Sequence, residues 1–154
     1  MPLQLNDAQA TSLKLFVVLS KAYKAISEQV IKDIKQYGLS PSEFMILEVL
    51  YTKRRIPLQQ IGGKILVTSG SITYNIDKLE KKLLLRRVPC REDRRVIYAE
   101  ITDAGDELFN RIFPEHAEIV HHLMSGVPQD EQEAAIALLK KLGKSVKSDT
   151  NKGG

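Results

Sequence analysis

Between Pro57 and Gly105 the chain reads as a helix, a turn, a second helix and then a hairpin whose tip, Cys90-Arg91-Glu92-Asp93-Arg94-Arg95, carries three arginines. Turn chemistry ordinarily asks for Gly, Asn or Asp at a hairpin tip, so three guanidinium groups there need another reason. Duplex DNA supplies one. From Lys78 to Arg95 there are eight basic residues (Lys78, Lys81, Lys82, Arg86, Arg87, Arg91, Arg94, Arg95) against three acidic ones (Glu80, Glu92, Asp93), a local balance of +5. The whole chain carries only +4. Positive charge is therefore concentrated in one helix end and one hairpin, the electrostatic footprint of a phosphate-binding element.

At 154 residues the chain is long enough for one domain with a buried core. With 43% hydrophobic and 27% charged residues it has the composition of an ordinary soluble protein. No apolar run approaches the roughly 18 residues of a membrane span, and the N-terminus lacks a signal-peptide pattern. A cytoplasmic protein with no membrane partner is expected. The single cysteine, Cys90, cannot form an intramolecular disulfide, which agrees with a reducing compartment.

Leu13, Phe16, Tyr23, Ile26, Val30 and Ile34 recur at helical spacing, which predicts one long helix from Asp7 to Tyr37, ended by Gly38. Ser40-Pro41-Ser42-Glu43 supplies a capping hydroxyl, a proline at the first helical position and a glutamate that reaches back, starting a helix that runs to about Lys53. Ile56-Pro57-Leu58 reads as an extended link before a short helix from Gln59 to Leu66. The Gly62-Gly63 pair weakens that helix by about 1 kcal/mol per glycine. It would also let a crossing helix approach closely. Val67 to Gly70 is the turn, and Thr68 or Ser69 caps a helix from Gly70 to about Lys82.

Leu84–Val88 and Val96–Ile101 flank the arginine tip and pair as a hairpin, the wing. Thr102 caps a helix from Asp103 to about Met124, which Pro114 should bend or split. Pro128 opens a last helix marked by Ala135, Leu138, Leu139, Leu142 and Val146. The fold class expected is mainly α with a small β-hairpin. Residues 38–101 form a winged helix-turn-helix within a single domain spanning 1–154. Helices over 7–37 and 103–147 flank it, and 148–154 form a loose polar tail. The flanking helices have wide apolar faces, and a second copy of the chain is their simplest cover.

On the second helix of the motif, Ile72, Ile76 and Leu79 share one face, and Gly70, Ser71, Tyr74, Lys78 and Lys81 lie on or near the other. Such a helix fits a major groove, with N-terminal residues at base edges. Thr68, Ser69, Ser71, Thr73 and Tyr74 offer hydrogen-bonding hydroxyls, and threonine methyls can touch thymine. Gln59 on the short helix and Arg87 on the first wing strand complete the helix-side set. Arg91, Arg94 and Arg95 sit where a narrow minor groove attracts arginine. Asp93 would be repelled by phosphate, so it should pair with Arg94 or Arg95 and fix the tip.

Asp93-Arg94-Arg95, followed after five residues by Ile101-Thr102-Asp103-Ala104-Gly105, resembles the wing-to-helix signature of the MarR family of winged-helix transcription regulators. Ser69 to Lys81 resembles that family's recognition helix, and the two ends of the chain resemble its dimerisation helices. Gln59-Gln60-Ile61-Gly62 and Leu66 to Tyr74 look most like the subgroup of repressors answering to quinones and catechols. The resemblance implies a homodimer on a near-palindromic double-stranded DNA operator, repressing until a small aromatic effector, or oxidation, changes the spacing of its recognition helices. One departure stands out. Where the family often has glycine after the recognition helix, this chain has Leu83, and a left-handed backbone there would cost leucine on the order of 1 kcal/mol.

Phe16, Tyr23, Phe44, Tyr51 and His116 are candidates for lining an effector cavity, although aromatic residues at helical spacing are usually core. Cys90 lies among arginines that would favour its thiolate, making a thiol-sensing repressor the alternative mechanism. A winged-helix module that binds protein, or a small thiol-redox enzyme, would be the alternatives to DNA binding. His116, His121 and His122 form no zinc pattern, and Glu118 with His122 makes only two ligands, so neither metal nor cofactor is expected. No nucleophile elbow, phosphate loop or metalloprotease motif is present, and Thr68-Ser69-Gly70-Ser71 lacks the lysine of a phosphate loop, which argues against an enzyme.

Overall fold

The computed structural model describes residues 3–65 and 69–152. They pack as two compact units, residues 1–117 and 118–154. In the first, α1 (Asp7–Lys35) opens on a capping box. Asn6 accepts the Gln9 amide at 2.8 Å, and the Gln9 side chain accepts the Asn6 amide at 3.1 Å. The helix ends two residues before the predicted Tyr37, in a turn that reaches Gly38 at φ +76°, a conformation glycine adopts without strain.

The Ser40–Glu43 capping box forms as its spacing predicts and starts α2 (Pro41–Lys53). The link after it is a strand, β1 (Arg55–Pro57), which is a correction to the extended-link reading. Three residues are too few to show alternation, and Pro57 marks the position as an edge. Next comes α3, which is only the turn Leu58–Ile61 and stops at the glycine pair rather than at Leu66. A Cβ on Gly62 would stand 3.0 Å from Ile72 Cδ1, so the crossing helix does approach closely there. Leu66, Val67 and Thr68, and with them the expected turn and the Thr68 cap, lie outside the described residues.

The helix α4 (Ser69–Lys81) closes on Leu83 at φ +63°. Leu83 N–H donates to Glu80 O at 3.0 Å and Leu84 N–H to Leu79 O at 3.0 Å, the paired bonds of a Schellman motif. The chain therefore keeps the left-handed turn and places leucine in it. Leu83 itself is exposed, whereas Leu79 and Leu84 on either side are buried.

The wing strands β2 (Leu85–Pro89) and β3 (Ile97–Ile101) pair antiparallel, with Val88 opposite Tyr98 and Pro89 opposite Ile97. β1 joins the other edge of β3, placing Ile56 opposite Ala99 in a three-stranded sheet of order β1-β3-β2. Thr102 then caps α5 (Asp103–Met124): its hydroxyl oxygen accepts Gly105 N–H at 3.1 Å and its O–H donates to Leu83 O at 2.6 Å. Pro114 does not split α5, because Phe109, Ile112 and His116 bury the surrounding turns. Phe44, Ile46, Leu47, Leu50, Ile61, Ile76, Leu79, Leu85 and Phe109 form the fully buried centre. Among the described residues no buried side-chain polar atom lacks a hydrogen-bond partner.

The second unit contains α6 (Gln129–Lys152), whose helical backbone covers most of the predicted loose tail. Polarity alone does not stop a helix, and no proline or glycine interrupts Lys144 to Lys152. Ile136, Leu138, Leu139, Leu142 and Val146 are all exposed along it. In the first unit, Leu13, Phe16, Val17, Val18 and Tyr23 of α1 are exposed as well. No described helix is long and apolar enough to cross a membrane.

Candidate nucleic-acid interface

α4 divides as its periodicity predicts. Ile76 and Leu79 are buried and Ile72 is partly so, whereas Thr73, Tyr74 and Lys81 are exposed. Tyr74 is 62% exposed, and the Lys78 ammonium lies 5.3 Å from its ring centroid. Ser69 and Gly70 form the first turn of the helix. Ser71 is half-buried, and its hydroxyl oxygen accepts Asn75 Nδ2 at 3.1 Å.

Asn75 was not singled out by the sequence, yet it is buried and ties α4 to the N-cap of α2. It donates to Ser71 O at 2.7 Å and accepts from the Ser40 hydroxyl at 3.4 Å. Its signal was an asparagine in mid-helix, a residue that such positions disfavour unless its amide is used. Glu43 is the second omission. It is 1% exposed, and besides closing the capping box it accepts Lys82 Nζ at 2.7 Å and lies 3.5 Å from Lys78 Nζ. Burial pushes the Glu43 carboxyl up, but the hydrogen bonds from Lys82 and Ser40 and the two ammonium charges outweigh it. They hold the group below its ordinary value.

The wing is joined to α4 by Arg87. Its guanidinium donates to Asp77 Oδ1 at 2.6 Å and to Glu80 Oε1 at 2.7 Å, and the Asp77 bond foremost raises its pKa. Gln59 of α3 donates to Arg95 O at 3.3 Å, bracing the wing from the other side. At the tip, Asp93 pairs with Arg95. Its Oδ1 accepts the Arg95 amide at 3.0 Å and Nε at 3.1 Å, which lowers the carboxyl's pKa. That is the orienting role expected of it.

The eight cations counted in the sequence are therefore not equivalent. Lys78 and Lys82 pair with Glu43, Arg86 with Glu100 at 2.6 Å, Arg87 with Asp77 and Glu80, and Arg95 with Asp93. Among the described residues, Lys81, Arg91 and Arg94 have no ion-pair partner, and all three are exposed. Lys78 and Arg87, expected at the DNA surface, thus also have partners within the protein, Lys78 the Glu43 carboxylate of α2 and Arg87 the Asp77 and Glu80 carboxylates of α4.

The five aromatic candidates are spread over the fold rather than gathered at one place within the chain. Phe16 and Tyr23 are exposed on α1, and 17 residues of helix put Phe16 about 25 Å from Asp33. Phe44 and His116 are buried, with ring centroids 4.5 Å apart, and the Tyr51 ring lies tilted against Phe109 at 5.1 Å. His116 Nδ1 lies 2.6 Å from Asp33 Oδ2, joining α5 to α1 in the core. A cleft of about 330 Å³ in this unit is lined instead by Leu58, Gln59, Gly62, Ile72, Thr73, Ile76 and Arg87. Cys90 is half-buried where the wing leaves β2, and its amide donates to Val96 O at 3.0 Å.

Residues 39–97 match the model of the MarR family. The HTH-type transcriptional regulator MhqR of Bacillus subtilis (strain 168) is 50% identical over 141 residues, which cover 92% of this chain and 97% of MhqR. AbsC, a MarR family transcriptional regulator from Streptomyces coelicolor, has the same fold with a TM-score of 0.81 at 19% identity, covering 96% of this chain and 99% of AbsC. Sco3205, a MarR family regulator from the same organism solved in complex with DNA, gives 0.80 at 18% identity, covering 93% and 94%.

Proposed function

Because this chain belongs to the MarR family of transcriptional regulators, we propose that it is a homodimeric repressor that binds a near-palindromic operator and releases it on meeting a small aromatic effector. The exposed face of α4, with Thr73, Tyr74 and Lys81 and the half-buried Ser71 beside them, enters the major groove. Arg91 and Arg94 hold backbone and minor groove, and Asp93 with Arg95 shapes the tip. The observation that carries this reading is the Arg87 fork to Asp77 and Glu80, which fastens the wing to the polar-faced helix so that both can address one duplex.

Dimerisation is supported by the exposed apolar side chains of α1 and α6, which a water-facing helix would not retain without a cover. Two copies would present two recognition helices about one DNA turn apart, roughly 34–36 Å. The likeness of Gln59–Gly62 and Leu66–Tyr74 to quinone- and catechol-responsive repressors makes quinones and phenols the first effectors to try.

Selection of bound sequences from a random duplex pool, with and without a quinone and phenol panel, tests the reading. A palindromic consensus, one dimer per duplex and release by a panel member are expected. A non-palindromic site bound by one chain, or indifference to the whole panel, would overturn the dimer or the effector assignment respectively.

A further inference from the structure

The cations around α4 are sorted by partner rather than by position. Lys78 and Lys81 sit one helical turn apart, yet Lys78 leans toward a carboxylate that is 1% exposed while Lys81 meets none among the described residues. Besides the Ser40 amide, Glu43 has no side-chain partner among the described residues except the Lys78 and Lys82 ammonium groups. A buried carboxylate stripped of them would keep its desolvation cost uncompensated, so Lys82 at 2.7 Å and Lys78 at 3.5 Å are held against leaving for phosphate. Arg87 is held differently, by a two-pronged pairing with two solvent-facing carboxylates of α4 itself, Asp77 and Glu80. The face of α4 that remains outward carries hydroxyls at Thr73 and Tyr74 and one unpaired charge, Lys81.

We propose that Glu43 sequesters Lys78 and Lys82 from DNA phosphate, so that α4 discriminates by hydroxyl contacts while Lys81, Arg91 and Arg94 supply the phosphate grip. This rests on the DNA-binding reading above. It has a countable consequence, because each phosphate contact adds about 0.9 to the slope of log affinity against log salt. Three unpaired cations per chain give a dimer about six contacts and a slope near −5. If Lys78, Lys82 and Arg87 also gripped phosphate, the slope would be near −11. Keeping those charges internal limits affinity for random duplex and so favours the operator.

The test compares two lysines of one helix in the full-length protein, by fluorescence anisotropy with operator and random duplex over a salt series. Lys81→Gln should flatten the slope by about 2 per dimer, whereas Lys78→Gln should leave it within about 0.5 of the parent. Lys82 still serves Glu43 in the Lys78 variant, so the fold is retained. Glu43→Gln preserves a capping-box acceptor and releases both amines. It should steepen the slope by about 2 to 4, tighten random-duplex binding and lower the operator-to-random ratio. Adding Lys78→Gln and Lys82→Gln to it should restore the parent slope. Equal flattening by Lys78→Gln and Lys81→Gln would overturn the inference and leave the DNA-binding reading intact, as would a Glu43→Gln slope unchanged from the parent. If Lys81→Gln and Arg94→Ala both left the slope unchanged, the interface assignment itself would fail.

Discussion

Gly105 lies so close to Leu84 that a Cβ built on it would stand 2.2 Å from the Leu84 carbonyl oxygen and 2.9 Å from Ile101 Cγ1. The first turn of α5 is thus pressed onto the chain leaving α4, and the Thr102 hydroxyl bridges the same junction by donating to Leu83 O. Helix propensity favours alanine over glycine by about 1 kcal/mol, so a Gly105→Ala variant would be stabilised if only its own helix mattered. Contact with backbone reverses the sign. Urea unfolding should show a loss of about 3 kcal/mol, and a neutral or stabilised variant would contradict the close approach.

Leu83 occupies the left-handed position that closes α4, and its side chain is exposed, so little burial is lost on truncation. Leu83→Gly should raise stability by about 0.5–1 kcal/mol, the relieved strain being offset by glycine's freedom in the unfolded chain. Thermal denaturation would register a Tm increase. A fall in Tm would mean that leucine sits there without strain.

Much of this architecture was readable because it is local. The Ser40–Glu43 box, the Thr102 cap and the Asp93–Arg95 pair each depend on residues two or three positions apart, and the wing on one short hairpin. What escaped reading depends on distant partners. Glu43 could be seen as a cap but not as the buried anion under Lys78 and Lys82, which come 35 and 39 residues later. β1 is a strand only because β3, over 40 residues on, pairs with it. Phe44 and His116, over 70 residues apart in the chain, meet ring to ring only because α2 and α5 pack together.

Glu43 also gives stability a pH dependence. Its carboxyl is held below the unfolded value of 4.5, so its contribution is fully present above that pH and is lost as pH falls through the lower, folded value. The stability difference between the parent and Glu43→Gln should therefore be largest near neutrality and shrink below about pH 4.5. Urea midpoints between pH 3 and 7 would reveal it, and a difference independent of pH would contradict the pairing.

Asp33 accepts hydrogen bonds from Tyr37 at 3.0 Å and Gln36 at 2.7 Å and lies 2.6 Å from His116 Nδ1. Burial, together with the bond to Asp33, raises the Tyr37 hydroxyl, keeping it the donor. Asp33→Ala would leave these groups without their shared acceptor and should cost about 2–3 kcal/mol. A loss below about 0.5 kcal/mol, read from urea unfolding, would show that the junction of α1 and α5 does not depend on it.

The central claim is that the polar face of α4 and the tip of the wing grip one duplex with different tasks. Parallel affinities for operator and random duplex, measured for Arg91→Ala/Arg94→Ala and for Tyr74→Ala across a salt series, test it most directly. The arginine variant should weaken both duplexes alike and flatten the salt slope by about 4 per dimer. Tyr74→Ala should leave the slope in place and change which sequences are preferred. An arginine variant with parent affinity and parent slope would contradict the account.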